Sequence, residues 1–103
     1  MSDYYLSKLA RINYKIAIHP ESANIRLTSQ MDAILVIAPT VIPEQYRKQF
    51  QALVNLIGTS YEKAEHLGKG VHPYKLEGIY NNTASKYIKL LLDIEDYLES
   101  ERL

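Results

Sequence analysis

The stretch from Pro43 to Leu67 constrains the fold of this chain more than any other. At about 100° per residue, its apolar side chains fall on one stripe and its charged and amide side chains on the opposite face; the stripe consists of Tyr46, Phe50, Leu53, Ile57, Tyr61, Ala64 and Leu67. This pattern is typical of an amphipathic helix that packs one side against a core. Pro43 suits a first helical turn, and Gly68 suits the residue after a helix. We therefore predict one long helix here.

Two more helices are predicted before this stretch. The first runs from Asp3 to about Ile18, with Ser2 as its cap, and ends at His19-Pro20 because a residue before proline is disfavoured in helical conformation. Its apolar stripe contains Asn13 as well as Tyr5, Leu6, Leu9, Ile12 and Ile16. The second runs from about Glu21 to Ala38, with Asn24 near the centre of a face formed by Leu27, Met31, Ile34, Leu35 and Ala38. Residues 33–38 would suit a buried strand by composition, but their helical spacing with Leu27 and Met31 favours a helix.

The last predicted helix begins near Asn82 or Thr83, either of which can cap it. Its apolar positions cover more than one stripe: a core stripe of Ala84, Tyr87, Ile88, Leu91, Ile94 and Leu98, widened by Leu90, Leu92 and Tyr97. The segment from Lys69 to Asn82 is predicted to be a long loop. The fold class is therefore all-α, a single domain over residues 1–103, arranged as an antiparallel four-helix bundle with a long loop before the last helix.

Composition excludes several classes of protein. The absence of cysteine excludes disulfides, thiolate zinc sites and thiol catalysis. No apolar run reaches the roughly 18 residues of a membrane span, and the chain does not open on a signal-peptide pattern, so we expect a cytoplasmic protein. Twelve basic and twelve acidic residues cancel, which does not favour bulk attraction to nucleic acid or membranes. Nine tyrosines against one phenylalanine make the chain tyrosine-rich, as suits wet interfaces and shallow cores.

Candidate catalytic and metal-binding residues are few. Glu62 and His66 lie four residues apart, a spacing that fits a surface ion pair better than the inward-facing ligands of a di-iron bundle. His19 and His72 each precede a proline, which turn formation explains. Glu95 lies on an apolar face, where it could act as a base or pair with a neighbour such as Asn13. Because no Gly-rich phosphate loop or metalloprotease motif is present, we predict no cofactor, no metal and no enzymatic activity.

The width of the apolar surface on the last helix favours contacts with another chain. A two-fold pairing of this helix with its copy would cover Leu90, Ile94 and Tyr97, which are the predicted protein interface. The alternative is that the long loop covers them through Val71, Tyr74 and Ile79. The sequence therefore predicts a small intracellular binding or regulatory protein that acts through protein–protein contacts as a homo-oligomer.

A patch on the outer side of the first helix supports a different function. Aromatic and basic side chains alternate there, namely Tyr4, Lys8, Arg11, Tyr14 and Lys15, and Arg26 could extend them. Stacking surfaces next to cations are what single-stranded nucleic acid requires. The alternative prediction is therefore an RNA- or DNA-binding accessory subunit, although the same cations could instead face the acidic residues near the end of the chain.

Two short motifs suggest a distant likeness to known proteins. LTSQM at residues 27–31 and IPEQYR at residues 42–47 resemble the second-helix region of the four-helix-bundle proteins encoded in ribosomal RNA intervening sequences. Asp32 and Ala33 stand where that family carries paired arginines. In size and predicted helices the chain is also similar to small bacteriocin immunity proteins. Both resemblances imply a helical bundle, and neither carries a functional residue over to this chain.

Overall fold

The computed structural model describes residues 3–66 and 79–101, and within these ranges the chain is helical and contains no strand. Its elements are α1 (Asp3–Ile18), α2 (Ala23–Thr28), α3 (Met31–Val36), a 3₁₀ turn (Pro39–Val41), α4 (Glu44–His66) and α5 (Asn81–Glu101). The predicted helical fold class is confirmed for these ranges. The predicted number of helices is wrong, because the described residues form five α-helices.

The three longer helices lie close to where the sequence placed them. α1 has the predicted bounds, α4 begins one residue after Pro43, and α5 begins at Asn81. The carbonyl of Pro43 accepts a hydrogen bond from the backbone N–H of Tyr46 at 2.9 Å, so this proline precedes the helix and starts its first turn. The predicted caps Ser2 and Gly68 lie outside the described residues.

The single helix predicted from Glu21 to Ala38 is wrong, because the chain leaves helical geometry at Gln30, whose φ and ψ are −111° and 13°. Side-chain hydroxyls just before this point bond to backbone carbonyls of the preceding turn. The hydroxyl of Thr28 donates to the carbonyl of Asn24 at 2.7 Å, and that of Ser29 donates to the carbonyl of Arg26 at 2.6 Å. Such bonds compete with the helical pattern and bend or end helices.

This break changes which side chains reach the core. Leu35, predicted to be buried, is 42% exposed, whereas Ile37 and Ile42 are buried. Ile37 has extended geometry, with φ −84° and ψ 115°. Leu35 lies within α3, so its exposure follows from the break at Gln30, whereas beyond Val36 the extended backbone no longer follows the helical period at all.

One hydrophobic core joins all the helices. The prediction that Phe50, Leu53, Ile57, Leu91 and Leu98 are buried together is confirmed. α5 contacts α1, α2 and α4. The buried apolar residues are Leu6, Leu9, Ile12, Ile16, Leu27, Met31, Ile34, Ile37, Ile42, Phe50, Leu53, Ile57, Ala84, Leu90, Leu91, Ile94 and Leu98. None of the helices in residues 3–66 and 79–101 combines the length and the hydropathy that a membrane span requires.

Candidate binding site: a cationic groove between α1 and α3

The structure corrects the predicted protein interface on α5. Leu90 and Ile94, expected on an uncovered flank, are only 6% and 0% exposed. Tyr97 is half-buried, and its ring packs edge-on against Tyr46 with centroids 5.9 Å apart. The expectation assumed that one seam would cover α5, but three helices pack against it. Among these apolar side chains Leu92 alone keeps substantial exposure, at 44%.

The structure describes one of the three loop residues that were suggested to cover this flank, Ile79. Val71 and Tyr74 lie outside the described residues. Ile79 is half-buried and packs against the core. Its carbonyl accepts a hydrogen bond from the side-chain amide of Asn24 at 3.3 Å, so the residues just before α5 are attached to α2.

A groove lies between α1 and α3, with a volume of about 230 Å³. Lys8, Arg11 and Lys15 line it from α1, at helical spacings that put all three cations on one side of that helix. Ile12 contributes buried apolar surface to its lining. The other wall consists of Gln30, Ala33 and Val36, and Val36 is 55% exposed. The groove therefore combines a row of positive charges with apolar surface.

The cations of the groove are not neutralised by any residue that the structure describes. Within residues 3–66 and 79–101, Lys8, Arg11 and Lys15 form no ion pair, in contrast to Lys89, whose Nζ lies 2.8 Å from the carboxylate of Asp93. The Nζ of Lys8 lies 5.0 Å from the centroid of the exposed Tyr4 ring, a cation–π contact. Three uncompensated cations within about two helical turns produce a local positive potential that attracts anionic groups.

The structure brings most of the predicted nucleic-acid patch onto α1 and leaves Arg26 apart. Tyr4 and Tyr14 are both exposed on α1. Arg26 lies on α2 and is half-buried, does not line the groove, and its Nε has no hydrogen-bond partner among the described residues. The patch therefore consists of five residues of one helix, and Arg26 does not extend it along the groove.

The cations of α1 do not face the acidic half of α5. Asn13 faces it instead: its Nδ2 donates to the carbonyl of Leu91 at 3.1 Å and to Oε1 of Glu95 at 2.8 Å. On a helix of 3.6 residues per turn, Asn13 lies about 160° around the axis from Arg11. The predicted pairing of Glu95 with Asn13 is thus confirmed, and the suggestion that the groove cations offset the acidic end of α5 within one copy is wrong.

Asn13 itself is nearly fully buried, and only one end of its amide is satisfied. Its Oδ1 is buried and has no hydrogen-bond partner within the part of the chain that the structure describes. Turning the amide around would point Oδ1 at two acceptors, the Leu91 carbonyl and the Glu95 carboxylate, so the orientation of the amide is fixed. The geometry favours a contact that sets the register of α1 against α5.

His19 is the histidine whose side chain the structure describes. Nδ1 of His19 accepts a hydrogen bond from the backbone N–H of Glu21 at 3.2 Å, so its ring takes part in the turn after α1. The structure does not describe the side chain of His66 or any part of His72. The described residues contain no group of three potential metal ligands.

Sequence reasoning found one wall of the groove and missed the other. The cations of α1 follow from helical periodicity, but Gln30, Ala33 and Val36 line the second wall because the chain breaks before α3. No periodic signal marks that break, and the hydroxyls of Thr28 and Ser29 are the feature that could have indicated it. No protein-family model, curated protein or solved structure matches the chain.

Proposed function

We propose that this chain is a small, non-catalytic binding protein that acts through protein–protein contacts and holds an acidic segment of its partner in the groove between α1 and α3. The observation that carries the proposal is the row of cations Lys8, Arg11 and Lys15, which form no ion pair among the described residues, beside the exposed side chain of Val36. Cations alone would suit any anion, whereas cations beside apolar side chains suit an amphipathic one.

An acidic amphipathic helix is the segment that fits this surface. Carboxylates three or four residues apart on such a helix can approach Lys8, Arg11 and Lys15, which have the same spacing. An apolar side chain between the carboxylates can reach Val36 across the groove. Laying an amphipathic helix into a groove is a recurrent way of recognising a peptide.

Charge and apolar contact have different roles in this proposal. An exposed ion pair contributes only about 0.2–1 kcal/mol, so the cations orient the partner and speed its association. Val36 and the methylene stems of the lysines provide apolar area that is removed from water on binding. We expect modest affinity with marked dependence on ionic strength.

The helix packing that we propose underneath this site is antiparallel, with α1 and α4 both running opposite to α5. Asn13 bonds to Leu91 and Glu95, while Leu6, near the other end of α1, shares a cleft with Leu98. Tyr46, near the start of α4, packs against Tyr97, near the end of α5. The contacts of α1 and of α4 with α5 therefore both support an antiparallel arrangement.

The test is binding of a synthetic acidic amphipathic helical peptide, followed by fluorescence anisotropy. Arg11→Glu should weaken binding roughly two- to thirtyfold, because it replaces one favourable charge pair by a repulsion of similar size in the middle of the cation row. Lys48→Glu is the matched control, since Lys48 is exposed on α4 away from this groove and the change in net charge is the same. Equal binding by both variants would disprove the proposal.

Single-stranded nucleic acid is the second candidate, favoured by the exposure of Tyr4 and Tyr14 beside the cations. Bases could stack on these rings while phosphates approach Lys8 and Arg11. In a gel-shift assay at low salt, binding of an oligonucleotide should fall steeply with added salt and fall further in Tyr4→Ala and Tyr14→Ala. Tight, tyrosine-dependent oligonucleotide binding without peptide binding would replace the first proposal by this one.

A further inference from the structure

We infer that the groove between α1 and α3 takes the outer face of α5 from a second copy of this chain. This inference rests on the proposed function of the groove and names its occupant. The surface concerned carries Leu92, Asp96 and Glu99, which recur at intervals of four and three residues and therefore lie on one side of α5. All three are exposed, and Leu92 is the exposed apolar side chain at the N-terminal end of this surface.

The spacing of charges on the two surfaces matches in antiparallel register. From Lys8 the groove cations follow at intervals of three and four residues, to Arg11 and then Lys15. From Glu99 backwards, the α5 positions follow at the same intervals, to Asp96 and then Leu92. Antiparallel docking of the second copy's α5 therefore brings Glu99 level with Lys8 and Asp96 level with Arg11.

The same register gives the exposed leucine an apolar environment. Leu92 of the second copy comes level with Lys15, whose methylene stem can cover it while the ammonium group remains in water. Val36 belongs to the opposite wall of the same groove and is 55% exposed. Docking the α5 of a second copy along the groove therefore removes part of both exposed apolar side chains, Leu92 and Val36, from water.

The two surfaces can meet only between copies. The side of α1 that faces α5 within one copy carries Asn13, about 160° around the helix from Arg11. The acidic residues between positions 93 and 101, which are Asp93, Glu95, Asp96, Glu99 and Glu101, belong to α5. The positive and negative charges of the chain cancel overall, but a basic groove and an acidic face lie on different helices. Head-to-tail association requires this kind of charge complementarity.

Such association is heterologous, since the groove of one copy meets the α5 face of the next. When two copies have associated, one groove and one α5 face remain free, so further copies can add unless the assembly closes into a ring. It differs from the predicted two-fold pairing of the last helix, in which the groove has no part. Charge pairing at exposed sites also makes it dependent on salt.

The experiment uses the full chain and two variants that block opposite sides of the contact. Arg11→Glu blocks the groove and keeps the α5 face; the double variant Leu92→Ala with Asp96→Ala blocks the face and keeps the groove. Mass is measured by sedimentation or light scattering over a range of concentrations and salt, with circular dichroism to show that each variant is folded. Lys48→Glu is the control for the change in net charge.

We expect the parent and Lys48→Glu to increase in mass with concentration and to dissociate in high salt, while each blocked variant stays monomeric alone. An equimolar mixture of the two blocked variants should form a one-to-one dimer, because one intact groove and one intact face remain. Self-association that survives Arg11→Glu would overturn the inference. A parent that remains monomeric while its groove binds the acidic peptide would also overturn it and would leave the proposed function standing; failure of both measurements would remove both.

Discussion

The helix α4 and the segment from residue 21 to residue 42 are both apolar on one side, yet one forms a single helix and the other breaks into three pieces. α4 keeps the helical period over 23 residues, and its stripe residues Phe50, Leu53 and Ile57 are all buried. The earlier segment contains α2, α3 and a 3₁₀ turn. Local pattern therefore accounts for α4 and does not account for the segment.

Polar contacts from α4 and α5 hold this segment, residues 21–42, in place. The side-chain oxygen of Asn81, in α5, accepts a hydrogen bond from the backbone N–H of Asn24 at 3.0 Å. It thus caps the start of α2, where Ser22 makes no side-chain cap bond. Capping acceptors normally come from the residue just before a helix, so here a distant residue performs that function.

Two side chains of α4 hold the segment at its end and at its middle. The guanidinium of Arg47 donates to the carbonyl of Ile42 at 3.0 and 3.2 Å, and to that of Thr40 at 3.5 Å. The hydroxyl of Tyr61 donates to the carboxylate of Asp32 on α3. Arg47 thus satisfies backbone carbonyls that lie outside a regular helix, and Tyr61 joins α3 to α4. Such contacts stabilise short helices that lack strong local periodicity.

The largest expected effect comes from truncating the stripe of α4. Leu53→Ala should lower the free energy of unfolding by about 2–5 kcal/mol, because it removes buried methyl groups and leaves a cavity. Leu91→Ala, in the facing stripe of α5, should cost a similar amount. Urea unfolding measures both, with the exposed Gln51→Ala as a control expected within about 0.5 kcal/mol of the parent. A parent-like midpoint for Leu53→Ala would mean that α4 is not held by its stripe.

The sequence predicts what local periodicity decides, and it misses what distant contacts decide. The bounds of α1 and the buried stripes of α4 and α5 follow from helical spacing, which also places Asn13 and Glu95 on the apolar faces of their helices. The break at Gln30 and the burial of Ile37 in place of Leu35 depend on side-chain bonds and tertiary packing, which a periodic count does not contain. The burial of Leu90 and the groove wall at Val36 were missed for the same reason, since both depend on where α2 and α3 lie.

A smaller effect is expected when the distant cap of α2 is removed. Asn81→Ala takes away the acceptor of the Asn24 N–H, and losing such a cap should cost about 0.5–2 kcal/mol. Asn82→Ala is the neighbouring control, because among the described residues its side-chain oxygen accepts from the adjacent N–H of Thr83 alone, at 2.8 Å. Urea unfolding should then show a clear loss for Asn81→Ala and a smaller one for Asn82→Ala. The reverse order would mean that α2 does not depend on α5 for its cap.

The smallest effect concerns the contact between α3 and α4 and appears only in alkali. Burial and the neighbouring Asp32 carboxylate raise the pKa of Tyr61 to about 12 from its ordinary value of 10.0. Between pH 10 and pH 12 the unfolded chain therefore loses this proton before the folded chain does, so stability falls as pH rises. Tyr61→Phe should lose less stability than the parent between about pH 9 and pH 11.5 in urea unfolding. Asp32→Asn should show an intermediate pH dependence, because it removes the charge and leaves the burial, and identical slopes in all three proteins would mean that this contact does not join α3 to α4.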